Sequence, residues 1–497
     1  MERAGMGVVQ VLEQQLGSPS GQPITIVCGK GNNGGDGLVI ARLLKQKRAK
    51  IQVLLLAHPK ELTQDALGMY TRLRKIAPSS IINVEPSAAT IQASIQSAAL
   101  LIDAMLGTGL SAPVREPYRT AITRMNEAQT PTLAVDIPSG IHSDTGEVMG
   151  IAIKAQTTVT FGCPKIGLYL GKGINHTGII ATVDIGIPEA YVKDLGSSLH
   201  LLNQESLAAL LPGRAQDSHK GTCGHIGLIA GSPGKTGSAA LAARAALRTG
   251  AGLVTIATPQ SGQLSLDAKL FEAMTLAMPE TKAQTLSRAA LKPLTAFAKE
   301  RDVIALGPGI STHTETGKLI RQLLPCLKQH CVIDADGLNI LAGHLSILSS
   351  CKSFPIITPH PGEMARLLGQ TSAKTVNQNR LGIALKFAKA HKVILVLKGA
   401  RTIVAHPSGQ AAICTTGNPG MASAGMGDAL TGVIVSFLAQ GLSPWDAART
   451  GVCLHGLAGD LAAKRVGQAG LIASDLIEYL PRALQSIASG CDESILT

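Results

Sequence analysis

The stretch ITIVCGKGNNGGDG, residues 24–37, joins an apolar run to a glycine-rich segment. The run Ile24–Cys28 predicts a strand buried on both faces, because its hydrophobicity is continuous rather than alternating. A helical pattern then covers Gly37–Lys47. A strand, a glycine-rich turn and a helix in this order are typical of a parallel α/β sheet that binds ligands at its strand ends.

Strand-like and helical segments alternate along the rest of the chain. Before residue 188 we predict further strands at Ile51–Ala57, Leu100–Leu106, Thr132–Ile137, Thr157–Phe161 and Ile180–Ile185. After residue 222 we predict strands at His225–Ala230, Gly252–Ala257, Ala273–Ala277, Val303–Leu306, Cys331–Ala335, Phe354–Ile357, Val393–Leu397, Thr402–Ala405 and Ala411–Thr415. Residues 189–222 are more polar and are interpreted as a linker. We therefore expect two doubly wound α/β domains, residues 1–195 and 196–497.

Composition narrows the function classes. The 497 residues carry 45 Lys+Arg against 33 Asp+Glu, a net charge of +12, but the basic residues are dispersed and aromatic residues make up only 2%. This argues against nucleic acid as a partner and favours small phosphorylated molecules. No apolar run approaches the about 18–20 residues that cross a bilayer. Nine cysteines without a C-x-x-C pair predict reduced thiols in a cytoplasmic protein.

Polar side chains follow several strands of the first domain. Asn33, Asp103 and Ser139 offer amide, carboxylate and hydroxyl oxygens at three strand ends, a plausible shell for a hard cation such as K⁺. Asp36 and Asp136 are candidates for general acid and base, and Lys165 can assist them. The alternative for the glycine-rich segment is a tight turn, since Asn and Gly are common turn residues.

In the second domain, NPGMASAGMGD at residues 418–428 precedes the predicted helix Ala429–Ala439. Successive glycine amides at a helix start form an anion hole suited to a transferring phosphoryl group, and Asp428 can accept a substrate proton. The alternative role for Asp428 is stabilisation of the helix dipole. Residues 231–238 lack the spacing of a P-loop.

Gly425-Met426-Gly427-Asp428, with Lys398-Gly399 upstream, resembles the ribokinase-like superfamily. His360-Pro361-Gly362-Glu363 and Gly307-Pro308-Gly309 narrow the resemblance to the ADP-dependent NAD(P)H-hydrate dehydratases. Residues 32–37, 103–109 and 136–140 resemble the NAD(P)H-hydrate epimerases. Over nearly the whole chain, the fused order is similar to that of the bifunctional NAD(P)H-hydrate repair enzymes. The resemblance implies a Rossmann-like first domain and a ribokinase-like three-layer α/β/α second domain.

The resemblance also implies an activity and a set of site residues. The first domain would interconvert the R and S hydrates, and the second would dehydrate the S form while ADP becomes AMP and phosphate, with Mg²⁺. K⁺ would contact Asn33, Asp103 and Ser139. In the first domain, the hydrate would contact Asn32, Asn33, Gly34, Gly35, Asp36, Gly107, Thr108, Gly109, Leu110, Ser111, Ala112, Pro113 and Asp136. In the second, it would contact Ser238, Gly309, His360 and Asp428. ADP would contact Lys398, Gly399, Ala400, Arg401, Thr402 and Gly427.

Two features depart from the family pattern, and two other functions stay open. The chain opens inside what looks like a family helix, and Ser238 stands where alanine is commoner.

One alternative function is a vitamin-precursor or sugar kinase fused to a dinucleotide-binding module, which would give a stable phosphorylated product. The other is a non-catalytic dinucleotide sensor. The choices between NADH and NADPH and between ADP and ATP are not decided by the residues. We expect a homo-oligomer.

Overall fold

The computed structural model describes residues 1–77, 81–194, 196–202, 204–369 and 372–489. It divides into two compact units, Met1–Gly196 and Ser197–Thr497. Each unit has its own sheet, and neighbouring strands are parallel except where stated. Among the described residues, no helix is both long and apolar enough to cross a membrane.

The first unit is a doubly wound sandwich, as predicted. Its strands are β1 (Pro23–Cys28), β2 (Lys50–Leu55), β3 (Ile82–Val84), β4 (Leu100–Ala104), β5 (Thr132–Val135), β6 (Thr157–Phe161) and β7 (Ile179–Val183). They lie in the order β3-β2-β1-β4-β5-β6-β7. Its helices are α1 (Glu2–Leu16), α2 (Asn32–Gln46), α3 (Gln64–Ile76), α4 (Ala88–Gln96), α5 (Tyr118–Glu127) and α6 (Glu189–Asp194).

Alternate residues of the first unit's strands face two separate cores. Ile26 packs into one core with Leu38 of α2. Its neighbour Val27 packs into the other with Ile122 of α5. Both faces of the sheet are therefore covered, which is why the strands are continuously apolar.

The helix that follows β1 begins earlier than predicted, at Asn32 rather than Gly37. The glycine-rich segment therefore forms the first turns of α2. A Cβ at Gly34 would lie 1.9 Å from Gly29 O, and one at Gly37 would lie 2.5 Å from Ala104 Cβ. Because helix and sheet approach this closely, the glycines are needed for packing as well as for ligand access.

The second unit contains a larger sheet. Its strands are β8 (Leu199–Leu202), β9 (His225–Ile229), β10 (Leu253–Pro259), β11 (Met274–Met278), β12 (Val303–Leu306), β13 (His330–Ile333), β14 (Ile356–Ile357), β15 (Ile394–Leu397), β16 (Ile403–Ala405) and β17 (Ala411–Cys414). Their order is β11-β10-β9-β12-β13-β14-β15-β16-β17-β8. The pairs β15–β16 and β16–β17 are antiparallel.

Helices cover both faces of this sheet, which confirms the three-layer α/β/α prediction. They are α7 (Gln204–Ala208), α8 (Thr236–Arg248), α9 (Gln263–Asp267), α10 (Leu291–Lys299), α11 (Thr314–Leu323), α12 (Asp336–Leu341), α13 (Pro361–Leu367), α14 (Ala373–Gln378), α15 (Arg380–His391), α16 (Met426–Ala439), α17 (Pro444–Val466) and α18 (Ala473–Ser489). Side chains of α8, α16, α17 and α18 share one large core with alternate strand residues such as Val396. Helix α15 contacts β15 and β16.

The interpretation of residues 189–222 as a linker was wrong for part of that segment. β8 lies within it and pairs in parallel with β17 at the edge of the second sheet. Leu202 of β8 and Leu207 of α7 are buried in the second unit's core. The strand was missed because it is only four residues long and has polar neighbours.

Candidate functional site

Three predicted cation ligands meet where the strand order of the first sheet reverses, between β1 and β4. Ser139 donates its backbone N–H to Asp103 Oδ2 at 2.7 Å and its hydroxyl to Oδ1 at 2.6 Å. Asn33 Nδ2 donates to the carbonyl of Leu106 at 3.1 Å. In doubly wound sheets such a reversal opens a crevice for ligands.

The cluster is buried and includes one oxygen without a hydrogen-bond partner. Asp103 and Ser139 are fully buried, and Asn33 is 8% exposed. Burial raises the pKa of Asp103 to about 6, although the hydrogen bonds from Ser139 lower it. Asn33 Oδ1 is a buried oxygen that has no hydrogen-bond partner. A buried acceptor without a donor needs a partner, and a monovalent cation would supply one.

A second group of ionisable side chains belongs to the same unit. Asp136, whose φ is +66°, follows β5. Its Oδ1 accepts hydrogen bonds from Lys165 Nζ and from Phe161 N–H, the latter at 3.2 Å. Burial raises the pKa of Asp36 to about 7, against the lowering effect of the Met1 amino group and with a smaller raising effect from Asp136. The negative charge of Asp136 therefore acts on Asp36.

The predicted substrate segment Gly107–Pro113 lies partly beside these groups. A Cβ at Gly107 would be 3.4 Å from Asn33 Cβ, and space around Gly109 is open. The carbonyl of Thr108 accepts a hydrogen bond from Ser143. Ser111, Ala112 and Pro113 are exposed and Leu110 is half-buried. No described contact joins these last four to the cation cluster or to the Asp36–Asp136 pair.

In the second unit, the predicted anion hole is the start of α16. The helix begins at Met426 rather than at Ala429, and Gly425, with φ +86°, is its N-cap without a capping side chain. Asp428 therefore stands in the first turn beside uncapped amides. Burial raises the pKa of Asp428 to about 6 and the negative charge of Asp334 adds to this, while a hydrogen bond from Ser238 and the charge of Lys398 lower it.

Asp334 is a residue of this site that the sequence analysis did not identify. It follows β13 and is 1% exposed. Its two carboxylate oxygens accept from Lys398 Nζ at 2.7 Å and from the Thr431 hydroxyl at 2.9 Å. A Cβ at Gly427 would be 3.2 Å from Lys398 Nζ, so the lysine lies against the anion hole. The available signal was a carboxylate inside the otherwise apolar predicted strand Cys331–Ala335.

Lys398 contacts a second carboxylate. Its Nζ lies 3.8 Å from Glu363 Oε2. Burial alone would lower the pKa of Lys398, but Asp334 and Glu363 raise it. Lys398 is therefore a cation that these two carboxylates hold beside the start of α16.

His360 has a structural role in addition to its predicted contact with substrate. Its Nδ1 accepts from the N–H groups of Gly362 and Glu363, and Glu363 accepts from the His360 N–H. This reciprocal capping box starts α13. Burial lowers the pKa of His360. Among the described residues, no group of three or more His, Cys, Asp or Glu could hold a metal ion.

The remaining predicted residues border this site. A Cβ at Gly309 would be 3.4 Å from Ser238 Cβ. Lys235 forms an ion pair with Asp336 at 3.0 Å, and both residues were also missed. Asp336 lies close enough to raise the pKa of Asp428.

The predicted nucleotide segment connects β15 to β16. Gly399 and Arg401 adopt positive φ angles of 143° and 57°. Arg380 donates to the carbonyls of Leu397, at 3.0 Å, and Ala400. Thr402 donates to the Gly399 carbonyl at 3.1 Å. The segment is therefore held in a defined turn next to Lys398.

Two family models and several curated proteins match this chain. A family described as NAD(P)H-hydrate dehydratase matches residues 226–482, and one described as YjeF-related protein N-terminus matches residues 1–167. The bifunctional NAD(P)H-hydrate repair enzyme Nnr of Moorella thermoacetica is 44% identical over 98% of this chain and 92% of its own length. The enzyme of the same name from Escherichia coli is 36% identical over 97% of this chain and 88% of its own.

A solved structure resembles the second unit. The crystal structure of ADP/ATP-dependent NAD(P)H-hydrate dehydratase from Bacillus subtilis, co-crystallised with ATP/Mg²⁺, superposes with a TM-score of 0.50 and 29% identity. It covers 58% of this chain and 98% of that one. The matches extend over both units and nearly the full length of these relatives, so the chain belongs to the family of bifunctional NAD(P)H-hydrate repair enzymes.

Proposed function

We propose that the second unit, residues 196–497, dehydrates the S form of NAD(P)H hydrate and converts ADP to AMP and phosphate. The observation that carries this proposal is Asp428, a carboxyl with a pKa of about 6 in the first turn of an uncapped helix. A base with that pKa is mostly ionised at neutral pH and still accepts a proton readily. The helix start favours the negative charge of a phosphoryl group.

The order of events follows from the chemistry of the leaving group. A hydroxyl group leaves poorly, whereas phosphate leaves well. The hydroxyl oxygen on C6 attacks the β-phosphorus of ADP while Asp428 accepts the hydroxyl proton. AMP leaves. The amides of Gly427 and Asp428 and the ammonium of Lys398 stabilise the charge in flight. The nitrogen lone pair of the ring then expels phosphate from C6, and loss of a proton from C5 to solvent restores the dihydronicotinamide ring.

The nucleotide is proposed to lie along Lys398, Gly399, Ala400, Arg401, Thr402 and Gly427. The hydrate is proposed to lie against Ser238, Gly309, His360 and Asp428. Asp336, whose negative charge acts on Asp428, is the carboxylate that would hold Mg²⁺ together with the phosphates, and the ion would neutralise phosphate charge.

We further propose that the first unit, residues 1–195, epimerises the hydrate at C6. Inverting one carbon requires a group that accepts a proton and a group that donates one. Asp36, with a pKa of about 7, exists in both protonation states at neutral pH. The negative charge of Asp136 acts on Asp36, and Lys165 orients Asp136 through a hydrogen bond. The hydrate would contact Asn32, Asn33, Gly34, Gly35 and the segment Gly107–Pro113.

Potassium fits the buried oxygen cluster of the first unit. Asn33, Asp103 and Ser139 would hold it, with Asn33 Oδ1 gaining the partner that it lacks. The bound ion would supply fixed positive charge at this edge of the first sheet. A homo-oligomer and a cytoplasmic location stay predictions.

The stoichiometry of one reaction tests the dehydratase assignment. Purified protein is given S-hydrate of NADH, ADP and Mg²⁺, and recovered NADH, AMP and phosphate are measured together. Equal amounts of all three products are expected. A stable phosphorylated hydrate without NADH would contradict the dehydration step, and unchanged ADP would refute the dehydratase assignment.

A further inference from the structure

A cavity of about 330 Å³ lies at the end of the second sheet opposite the Asp428 site. His330 begins β13, Phe354 precedes β14 and Lys392 precedes β15, and all three line this cavity. Asp334 and Lys398, by contrast, follow the carboxyl ends of the same strands. The cavity is therefore separate from the proposed dehydratase site.

Two cysteine thiols meet at the wall of this cavity. Cys351 is partly exposed and lines it. Cys331, in β13, is 2% exposed, and a hydrogen bond from the Ser353 hydroxyl to the Gln329 carbonyl at 3.5 Å joins the two segments beside these cysteines. The Cys331 thiol donates a hydrogen bond to Cys351, which lowers the pKa of Cys351 despite its burial. Cys351 is thus the better nucleophile, and the buried Cys331 thiol is close enough to react with it.

The lining of the cavity favours negative charge. His330, Lys352 and Lys392 contribute basic groups, and no carboxylate lines the cavity among the residues that the structure describes. Leu348 and Phe354 add apolar surface. A small anion that carries an apolar or aromatic body is complementary to this lining.

We propose that Cys351 and Cys331 form a thiol–disulfide exchange site that takes small anionic disulfides. Cys351 thiolate attacks one sulfur of the disulfide, a Cys351–sulfur bond forms, and the first thiolate leaves. Cys331 then loses its proton and attacks Cys351 Sγ, which expels the second thiolate. The protein pair is oxidised by two electrons and the small disulfide is reduced to two thiols.

Other cysteines of the same unit provide internal references. Cys414 and Cys453 also contact each other through their thiols, but both are buried. Cys326 is exposed and does not line the cavity. Modification of Cys414 or Cys453 would therefore indicate unfolding. The reaction rate of Cys326 serves as the reference for an ordinary surface thiol.

The test uses the full-length wild-type protein and two disulfides of opposite charge, dianionic dithiobis-nitrobenzoate and dicationic cystamine. After acid quenching, peptide mass spectrometry gives the rate at each cysteine. Relative to Cys326, Cys351 should prefer the anionic reagent by roughly tenfold. A Cys331–Cys351 disulfide should follow, with Cys414 and Cys453 unmodified. Equal charge preference at Cys351 and Cys326, or no Cys331–Cys351 disulfide, would overturn the proposal.

Two variants sharpen the assignment. In Cys331→Ala, the mixed disulfide at Cys351 should persist, because no second thiol can displace it. In a Lys352→Gln, Lys392→Gln double variant, the preference for the anionic reagent should fall to that of Cys326. Retention of the full preference in the double variant would contradict the role given to the cavity.

Discussion

Replacing Asp428 by asparagine should remove dehydration and stabilise the protein. Loss of a general base typically costs about 10²–10⁴-fold in rate. The pKa of Asp428 is about 6 in place of 3.8, so its ionisation in the folded protein opposes folding by at most about 3 kcal/mol at neutral pH. Because the folded-state pKa is the higher one, this cost develops as the pH rises from 4 to 6. Asparagine carries no charge and avoids it.

The assay follows recovery of the dihydronicotinamide absorbance in single turnover at saturating ADP. The wild-type rate should rise about tenfold between pH 5 and pH 7, as a carboxyl with a pKa near 6 ionises. Asp446 provides the control, because it occupies the same position in the first turn of α17. Asp446→Asn should keep the rate.

Denaturant unfolding at pH 5 and pH 7.5 gives the second readout. Asp428→Asn should be more stable than the wild type, and more so at the higher pH. A variant that keeps more than a tenth of the wild-type rate, or one that is less stable at pH 7.5, would refute the reasoning.

Three further outcomes are expected. Asn33→Ala should weaken the K⁺ dependence of epimerisation and leave dehydration unchanged, measured by chromatography of the two epimers with and without K⁺. The epimerisation rate should change most steeply near pH 7, where Asp36 titrates, and a profile flat between pH 6 and pH 8 would exclude this residue. Gly34→Ala should destabilise the first unit by about 1–3 kcal/mol in denaturant unfolding. The matched Gly31→Ala should cost far less, since a Cβ there meets no atom within 4 Å.

The sequence alone predicted the layered α/β fold of both units, but it did not predict every strand at the edges of the sheets. Strands buried on both faces, such as β1 and β12, are continuous apolar runs and were located almost to the residue. β3 and β8 were missed because they have three and four residues, and too few side chains are buried to leave a pattern. Both glycine-rich helix starts were placed too late, since glycine normally disfavours helix and here serves close packing.

The sequence predicted those site residues that directly follow the carboxyl ends of strands. Asn33, Asp103 and Ser139 come together because parallel strands end at the same edge of a sheet. The pairing of Lys398 with Asp334 joins residues far apart in sequence, and a single chain gives no local signal for such a pair. The capping of α13 by His360 Nδ1 likewise depends on the conformation of the turn that precedes the helix.

The central claim is that two separate sites perform two reactions, and one experiment tests it directly. Wild type, Asp136→Asn and Asp428→Asn are each given the R and S hydrates with ADP, Mg²⁺ and K⁺, and both epimers and NADH are followed. Wild type should recover all the cofactor. Asp136→Asn should consume S and leave R, whereas Asp428→Asn should interconvert R and S and recover none. Loss of both reactions in either folded variant would contradict the account.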